Sequence, residues 1–176
     1  MRGRLQSSKM RLFIALQLDE TFRDALFDVT DAMRTQGIRA RYVPEENLHV
    51  TLAFLGEVAP GTIPVIEEAI CSVPFTPLTL TTGDIGNFGN LLYVGLEDNA
   101  ELKRYVALLR NALEQHGIVF DRKKFKAHIT IARKVEGNRA FRLQVKKVRM
   151  TARGVSLFRS DRVDSQMRYT EIGYYA

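Results

Sequence analysis

Two of the three histidines in this 176-residue sequence are followed by a threonine two positions later. His49 and Thr51 lie in the segment "NLHVTLAFLGEV", and His128 and Thr130 lie in "KAHITIAR", 79 residues further along the chain. Both segments alternate apolar and polar residues, which is typical of a half-buried β-strand. Successive side chains of a strand point to opposite faces, so each histidine is expected to share a face with its threonine, opposite an apolar face.

The paired motifs predict acid–base chemistry on a phosphodiester. A free imidazole titrates at about 6.5, so two imidazoles in one cleft can provide a neutral base and a charged acid near neutral pH. Base and acid must lie on opposite sides of the phosphorus for in-line attack, an arrangement that two symmetric lobes provide. The threonine hydroxyls are suited to donate to the non-bridging oxygens. We therefore predict His49, Thr51, His128 and Thr130 as the catalytic residues.

Two other roles for the histidines stay open at this point. A single histidine on a strand is often a structural residue whose nitrogens bond to backbone or hydroxyl groups, although the repetition of the motif favours a site. A catalytic zinc site usually needs three protein ligands, and the remaining histidine, His116, falls at the end of a predicted helix. The sequence also contains no P-loop, dinucleotide-binding or G-x-S-x-G motif. We expect neither a metal nor another cofactor.

Phe54 and Arg133 each follow a motif histidine by five residues. A phenyl ring and a guanidinium plane can hold a nucleobase between them, and Arg133 can alternatively neutralise a phosphate. Strict alternation would turn both side chains to the apolar face, so a role in the site requires a bulge or a strand end nearby. Core packing is the alternative for Phe54, and a surface position is the alternative for Arg133.

The elements around the motifs occur in the same order twice. In the first half, the strand candidate "RLFIALQL" precedes a helix that begins after Asp19 and ends near Gly37; in the second half, "NLLYVGLE" precedes a helix that ends near Gly117. Each helix leads towards a motif strand, which indicates an internal duplication. An additional helix is expected in "GTIPVIEEAICSV", and a strand in "FTPLTLTTGDI" before the turn "GNFGN". Further strands are expected in "VKKVRMTARGVSLFRS" and "MRYTEIGYYA".

These elements predict an α+β fold of two pseudo-symmetric lobes, with antiparallel β-sheets lining a central cleft and helices packed outside. No linker-like segment separates the halves, so residues 1–176 are expected to form a single bilobal domain. Residues 1–9 are predicted to be a disordered extension, with Met10 as a candidate for the natural first residue.

The net charge of +6 is unevenly distributed, because residues 122–168 contain 15 Lys or Arg and only 3 Asp or Glu. Such a basic region favours a partner that carries phosphates, although scattered surface lysines explain it equally well. The only cysteine, Cys71, is predicted to be a buried and inert thiol on an apolar helix face, which fits a reducing cytoplasm. The apolar stretch "LFIALQL" is too short for a membrane span, so no membrane partner is expected.

With these motifs in place, the chain resembles the two-histidine (2H) phosphoesterase superfamily, and within it the RNA 2′,3′-cyclic phosphodiesterases once described as 2′-5′ RNA ligases. The resemblance rests on "MRLFIAL", "YVPEENLHVTLAFLGEV", "FKAHITIAR" and "VSLFRS", and it covers the chain from Met10 onwards. It implies a bilobal α+β fold, metal-independent hydrolysis of a 2′,3′-cyclic phosphate to the 2′-phosphate, and some reversible 2′-5′ ligation. It also implies that His128 activates water and that His49 protonates the departing 3′ oxygen.

The sequence departs from the family pattern at two positions. Tyr42 stands where relatives often carry tryptophan, and Ala127 stands where proline often precedes the second histidine. Tyr42 is a candidate for stacking on a base, with core packing as the alternative. The candidates for substrate binding are therefore Arg133, Phe54 and Tyr42.

The leading hypothesis is a metal-independent enzyme that hydrolyses the 2′,3′-cyclic phosphate of an RNA or a nucleoside to the 2′-phosphate. Its expected partner is an RNA or oligonucleotide with such an end, without an obligate protein partner. One alternative is a non-catalytic module that binds an RNA end or a nucleotide. Another is a phosphodiesterase that acts on 2′-5′ linked oligonucleotides.

Overall fold

The computed structural model describes residues 8–137 and 142–176. Residues 1–7 of the extension predicted for residues 1–9 therefore lie outside the described residues. In chain order the elements are β1 (Met10–Gln17), α1 (Glu20–Thr35), β2 (Arg41–Tyr42), β3 (His49–Val58), α2 (Ile63–Cys71), β4 (Leu78–Phe88), β5 (Leu91–Leu96), α3 (Ala100–Gln115), β6 (His128–Arg133), β7 (Arg149–Ala152), β8 (Val155–Val163) and β9 (Gln166–Tyr175).

The strands form two antiparallel sheets, which confirms the predicted α+β class. The first sheet has the strand order β3-β1-β8-β9, and the second has the order β2-β6-β5-β4-β7. Every pair of neighbouring strands is antiparallel. Strand β3 forms an edge of the first sheet, and Cα atoms of β3 and β6 lie within 8 Å of each other. The two motif strands therefore lie side by side where the sheets meet.

The two halves repeat the same local structure. Helices α1 and α3 each contain 16 residues, and the side chains of Asp19 and Asn99 cap them by accepting a backbone N–H three residues later. Gly37 and Gly117 follow the helices with φ of 74° and 72°, a left-handed conformation that glycine adopts without steric cost. The offset between the halves is 80 residues at these caps and 79 at the histidines. This agreement confirms the predicted pseudo-symmetry.

Each half also contributes to the sheet of the other half. Strand β2 follows α1 but pairs with β6, where Arg41 lies opposite Arg133. In return, the segment after α3 reaches β3, where the N–H of Asp121 donates to the carbonyl of Phe54 at 2.8 Å. Helix α1 contacts β6 and β7, while α3 contacts β3. The halves are therefore interlocked.

The apolar faces of these elements form one core. The predicted stripe of α1 is buried, and so is the run in the middle of β1: Phe22, Leu26, Val29, Met33, Leu12, Phe13, Ile14, Ala15 and Leu16. Leu12, Ile14 and Leu16 pack into the core, whereas Phe13 packs on the opposite face against the rings of His49, Phe158 and Tyr169. Within residues 8–137 and 142–176, no helix is both long enough and apolar enough to cross a bilayer.

The prediction that Cys71 is buried is wrong. Cys71 is the last residue of α2 and is exposed. Helix α2 buries Ile66, Ala69 and Ile70. Cys71 follows Ile70 by one residue, which is 100° further around the helix, and so lies outside that buried stripe. Because α2 ends there, no following turn covers the thiol.

Candidate active site

The hydrogen bonds of His49 define which ring nitrogen can take part in proton transfer. His49 is the first residue of β3, and its Nδ1 lies 2.7 Å from the carbonyl oxygen of Asn47. A carbonyl only accepts, so Nδ1 carries the hydrogen and donates it. The other nitrogen, Nε2, lies 2.8 Å from the Thr51 hydroxyl. In the neutral ring Nε2 accepts from that hydroxyl, and it is the atom that gains or loses a proton.

His128 repeats the Nδ1 hydrogen bond at the start of β6. Its Nδ1 lies 2.6 Å from the carbonyl oxygen of Lys126, so Nδ1 again donates and Nε2 is left for proton transfer. Thr130 shares the strand face of His128 and is half-buried. His116, by contrast, lies at the end of α3, where its Nδ1 is 2.7 Å from the carbonyl of Ala112. It caps a helix and belongs to neither motif.

Burial makes His49 a weak base in the free protein. Its ring lies 4.9 Å from the ring of Phe13 and 5.3 Å, edge to face, from the ring of Tyr169. This burial lowers the pKa of His49; the hydrogen bond to Asn47 opposes the shift, and the charges of Arg133 and of protonated His128 add to it. His49 is therefore neutral at pH 7. The contribution of His128 also indicates that its imidazole lies within electrostatic reach of His49.

A β-bulge turns Phe54 towards the site. Neighbouring residues of β1 lie opposite Thr51 and Ala53, so Leu52 is the additional residue of β3. Leu52 and Ala53 are both buried, and Phe54 returns to the half-exposed face of Thr51. The expectation from strict alternation, that Phe54 shares the apolar face, is wrong because this bulge changes the phase of the strand.

The same bulge occurs in β6. Neighbouring residues of β5 lie opposite Thr130 and Ala132, so Ile131 is the additional residue. Ile131 and Ala132 are buried, and Arg133 is exposed at the end of the strand. Strict alternation again fails, at the position equivalent to the bulge in β3. The duplication therefore extends to this irregularity, and it brings Phe54 and Arg133 to the polar faces of both motif strands.

A groove of about 980 Å³ runs along the polar face of β3. Its wall includes five of the predicted site residues, namely His49, Thr51, Phe54, Tyr42 and Arg133. The volume is in the range of a small-ligand site and is sufficient for a nucleotide.

Each of the two aromatic candidates in this wall, Phe54 and Tyr42, has an arginine guanidinium over its ring. The guanidinium of Arg11 lies 4.7 Å from the centre of the Phe54 ring. That of Arg34 lies 4.2 Å from the centre of the Tyr42 ring, and the Tyr42 hydroxyl donates to the carbonyl of Ile38 at 2.5 Å. Tyr42 is thus both packed and exposed to the groove, which combines the two roles considered for it.

The groove is positively charged. Five cationic side chains line it, against three carboxylates: Lys9, Arg11, Arg41, Arg133 and Arg162, with Glu57, Asp161 and Asp164. Only Arg133 and Arg162 come from the basic region 122–168, so that region supplies part of the positive charge and the first quarter of the chain supplies the rest. Such a wall favours an anionic ligand.

His128 and Thr130 are not part of the wall of this groove. His128 lies next to it on β6, among aromatic residues of the second sheet: the ring centres of Tyr93 and Phe88 are 5.3 and 5.5 Å from its ring. The ammonium group of Lys126 donates to the Tyr93 hydroxyl at 2.7 Å. The predicted residues therefore fall into two adjoining regions, one around His49 and one around His128.

Sequence reasoning missed several residues around the two histidines. Asn47 is buried, and besides accepting from His49 it donates its side-chain amide to the carbonyl of Met167 at 2.8 Å. Tyr169 reaches His49 from β9, and Phe13 belongs to an apolar run that indicates only core. Of these residues only Asn47 is close to a histidine in the sequence. It lies two residues before His49, just ahead of the strand that begins at that histidine.

The chain matches one protein family twice. The sequence profile of the LigT like phosphoesterase family matches residues 16–96 and again residues 94–169, so that each match contains one histidine motif. An RNA 2′,3′-cyclic phosphodiesterase from Archaeoglobus fulgidus is 34% identical over 130 residues, which cover 70% of this chain and 72% of the relative. One from Thermotoga maritima is 34% identical over 131 residues, which cover 70% of both chains. The chain belongs to the LigT like phosphoesterase family, a family of 2H phosphoesterases.

Solved structures agree with this fold. Escherichia coli LigT in its apo form superimposes with a TM-score of 0.85 at 23% identity, covering 96% of this chain and 98% of that one. LigT complexed with 3′-AMP has a TM-score of 0.83 at 23% identity over the same shares of the two chains. A protein from Thermus thermophilus has a TM-score of 0.82 at 26% identity, covering 94% of this chain and 97% of that one.

Proposed function

We propose that this chain is a metal-independent RNA 2′,3′-cyclic phosphodiesterase that opens the cyclic phosphate to a 2′-phosphate. The observation that carries the proposal is the repeated histidine geometry: both rings hold the Nδ1 hydrogen on a backbone carbonyl, which leaves Nε2 for proton transfer. The curated relatives named above are RNA 2′,3′-cyclic phosphodiesterases, and the chain covers more than two thirds of their length.

The reaction needs one base, one acid and a bound phosphate. In the proposed mechanism Nε2 of His128 takes a proton from water, and the water oxygen bonds to phosphorus. The bond from phosphorus to O3′ breaks on the opposite side, and O3′ receives the proton held on Nε2 of His49. The product is a 2′-phosphate with a free 3′-hydroxyl. This assignment of base and acid follows the family resemblance and is part of the proposal.

The acid role requires His49 to be protonated, although burial keeps it neutral in the free protein. A phosphate bound beside the ring opposes this effect, because a neighbouring negative charge favours the charged imidazole. We infer that substrate binding itself loads the acid. The Thr51 hydroxyl, which bonds to Nε2 of His49 in the free protein, is then released to donate to a non-bridging phosphate oxygen.

The groove beside His49 is the proposed place of the nucleoside that carries the phosphate. Phe54 offers a ring for stacking, Arg133 offers a cation or a stacking plane, and Tyr42 forms the wall beside them. The Thr130 hydroxyl completes the phosphate contacts from β6. An RNA or oligonucleotide with a cyclic phosphate end is the proposed partner, and a reducing cytoplasm remains the proposed location.

The test is hydrolysis of adenosine 2′,3′-cyclic phosphate in the presence of EDTA, followed by chromatography of the products. We expect adenosine 2′-phosphate as the product, and the same rate with and without EDTA. His128→Ala is expected to lose roughly 10²–10⁴-fold in kcat, the usual contribution of a general base. His116→Ala removes the histidine that caps α3 and is the matched control, expected to keep wild-type activity.

Three results would contradict the proposal: no hydrolysis by the wild type, formation of the 3′-phosphate, or full activity of His128→Ala. Salt-dependent RNA binding that survives loss of both histidines, without product, would instead identify the non-catalytic binding module. Hydrolysis of 2′-5′ linked oligonucleotides without activity on the cyclic phosphate would identify the other phosphodiesterase.

A further inference from the structure

Asn47, which lies just before the first motif strand, is held by hydrogen bonds on three sides. It is the last residue of a short 3₁₀ turn, and β3 begins two residues later. Its N–H donates to the carbonyl of Pro44 at 2.9 Å, and its own carbonyl accepts Nδ1 of His49. Its side-chain amide donates to the carbonyl of Met167 at 2.8 Å. Asn47 is only 6% exposed, so this amide bond is buried inside the protein.

The amide bond joins the two opposite edges of the first sheet. The strand order β3-β1-β8-β9 places β3 and β9 three strand spacings apart, which is about 14 Å in a flat sheet. The sheet is instead curled, because the ring of Tyr169 on β9 lies 5.3 Å from the ring of His49. Met167 precedes Tyr169 by two residues on β9, and the amide of Asn47 reaches it across the same gap. The imidazole of His49 therefore lies within a curl that this bond closes.

The carbonyl of Asn47 lies outside the ladder of the sheet. The pairing of β3 with β1 begins at His49, opposite Gln17, so the carbonyl precedes the first paired residue. Its direction depends on the 3₁₀ turn and on the amide bond to β9. A 3₁₀ turn has poorer hydrogen-bond geometry than an α-helix, which makes the amide bond the stronger restraint. The direction of this carbonyl in turn determines which nitrogen of His49 carries the hydrogen.

The second half of the chain has an anchored residue at the same position. Lys126 follows Asn47 by 79 residues, the offset between the two motif histidines, and its carbonyl accepts Nδ1 of His128. The ammonium group of Lys126 donates to the hydroxyl of Tyr93 on β5 at 2.7 Å. In both halves, the residue whose carbonyl holds the imidazole is therefore bound to another strand through a nitrogen of its side chain. This repetition favours a role that is linked to the histidines.

We propose that Asn47 is a positioning residue for His49: its amide, anchored on β9, fixes the carbonyl that keeps the hydrogen on Nδ1 and leaves Nε2 beside Thr51. The inference rests on the proposed function, in which Nε2 of His49 delivers the proton. Asn47 acts through the ring and not on the phosphate. Without the anchor the carbonyl can turn away, and the ring then takes up its hydrogen on Nε2 or rotates. Either change weakens proton delivery and leaves the wall of the groove in place.

The test is NMR of the ring nitrogens in the isotope-labelled full chain, without ligand, at a pH well above the ordinary imidazole pKa of about 6.5. The chain has three histidines, so the spectrum of His49→Ala identifies the signals of His49 by difference. We expect the wild-type ring to carry its hydrogen on Nδ1. In Asn47→Ala, the ratio of the Nε2–H to the Nδ1–H tautomer should rise about 2- to 13-fold, the effect of losing one neutral hydrogen bond. The signals of His128 should not change.

A second variant and a control separate the anchor from general loss of stability. Asn47→Ser keeps a small polar side chain that is too short to reach β9, and the same change of tautomer is expected. Asn99→Ala removes another amide that donates to a carbonyl at 2.8 Å, that of Thr79, together with the cap of α3. This control is expected to lower the urea midpoint and to leave the signals of His49 unchanged.

Turnover of adenosine 2′,3′-cyclic phosphate gives the second measurement. We expect Asn47→Ala to lower kcat by about the same 2- to 13-fold and to keep the wild-type KM. The inference is overturned if neither variant of Asn47 changes the tautomer of His49, if Asn99→Ala changes it equally, or if KM rises while kcat is kept. The NMR measurement requires no turnover. A failure of the cyclic phosphodiesterase assay would therefore contradict the proposed function, while the spectra would still decide whether Asn47 positions the ring.

Discussion

At the scale of single residues, the defining feature is the repeated bond from Nδ1 to a carbonyl two residues earlier, made by His49 to Asn47 and by His128 to Lys126. It gives both rings the same tautomer and leaves Nε2 as the nitrogen for proton transfer in each. Their environments differ, because His49 packs between Phe13 and Tyr169 and has a lowered pKa. The same ring chemistry therefore lies in two different environments, and that of His49 disfavours its charged form.

The lowered pKa of His49 gives a test of its role. The charge of Arg133 contributes to that lowering, so Arg133→Gln is expected to raise the pKa of His49. For an acid in the free enzyme, kcat/KM is lost as pH rises through its pKa, and this loss begins below the ordinary imidazole value of about 6.5. We expect Arg133→Gln to move the alkaline limb of the pH profile to higher pH. Movement of the acidic limb instead would make His49 the base.

The part of this site that depends on residues close together in the sequence could be predicted, and the part that depends on contacts between distant segments could not. The pairing of His49 with Thr51 follows from alternation along one strand. The position of Phe54 does not, because the bulge exists only in the pairing of β3 with β1. Tyr169 contacts His49 across 120 residues of sequence, and no local pattern indicates such a contact.

At the scale of elements, the bulges of β3 and β6 determine which side chains reach the site. The carbonyl of Leu52, the additional residue of β3, accepts Nε of Arg110 at 3.2 Å and Nη2 of Arg110 at 3.1 Å. The equivalent carbonyl of Ile131 accepts the N–H of Val43 at 2.9 Å. Both bulged carbonyls are therefore held by the opposite half of the chain, one by a side chain and one by the backbone.

Removal of the Arg110 guanidinium is expected to loosen the bulge of β3. Arg110→Met keeps an apolar stem of similar length but leaves the carbonyl of Leu52 without this donor. Hydrogen bonds from charged groups contribute about 1.5–3 kcal/mol, so the free energy of unfolding in urea should decrease by about that amount. The kcat/KM for the cyclic phosphate should decrease as well, because Thr51 and Phe54 flank the bulge.

Arg104→Met is the matched control, since Arg104 lies on the same helix and is exposed. It is expected to change neither quantity. If Arg110→Met has the stability and the activity of this control, the guanidinium does not hold the bulge.

The long elements could be predicted from sequence and the short ones could not. Helices α1 and α3 have clear apolar stripes, polar caps and terminal glycines. Strand β2 contains two residues and exists because β6 of the other half pairs with it. Strand β4 continues to Phe88, through part of the segment predicted as a turn, because Gly86, Asn87 and Phe88 pair with β5.

At the scale of the whole molecule, each half contributes to the sheet of the other, helices α1 and α3 pack on strands of the other half, and both halves line the groove. Strand β2 completes the sheet of the second half, and the cationic wall combines Arg11 and Arg41 with Arg133 and Arg162. We infer that the described residues, 8–137 and 142–176, act as one bilobal domain, because β2 of the first half belongs to the sheet of the second and both halves line the groove. The duplication thus provides two related histidines, and the interlocking places their strands side by side.

The central claim is that both imidazoles act on one phosphorus atom, and a double-mutant cycle tests it most directly. The quantities are kcat/KM for adenosine 2′,3′-cyclic phosphate in the wild type, His49→Ala, His128→Ala and the double variant, with folding of each confirmed by its urea transition. Groups that act as a unit are strongly non-additive, so the double variant should be about as slow as the slower single variant. If the two losses multiply, or if either single variant keeps wild-type activity, the histidines do not act together on one phosphate.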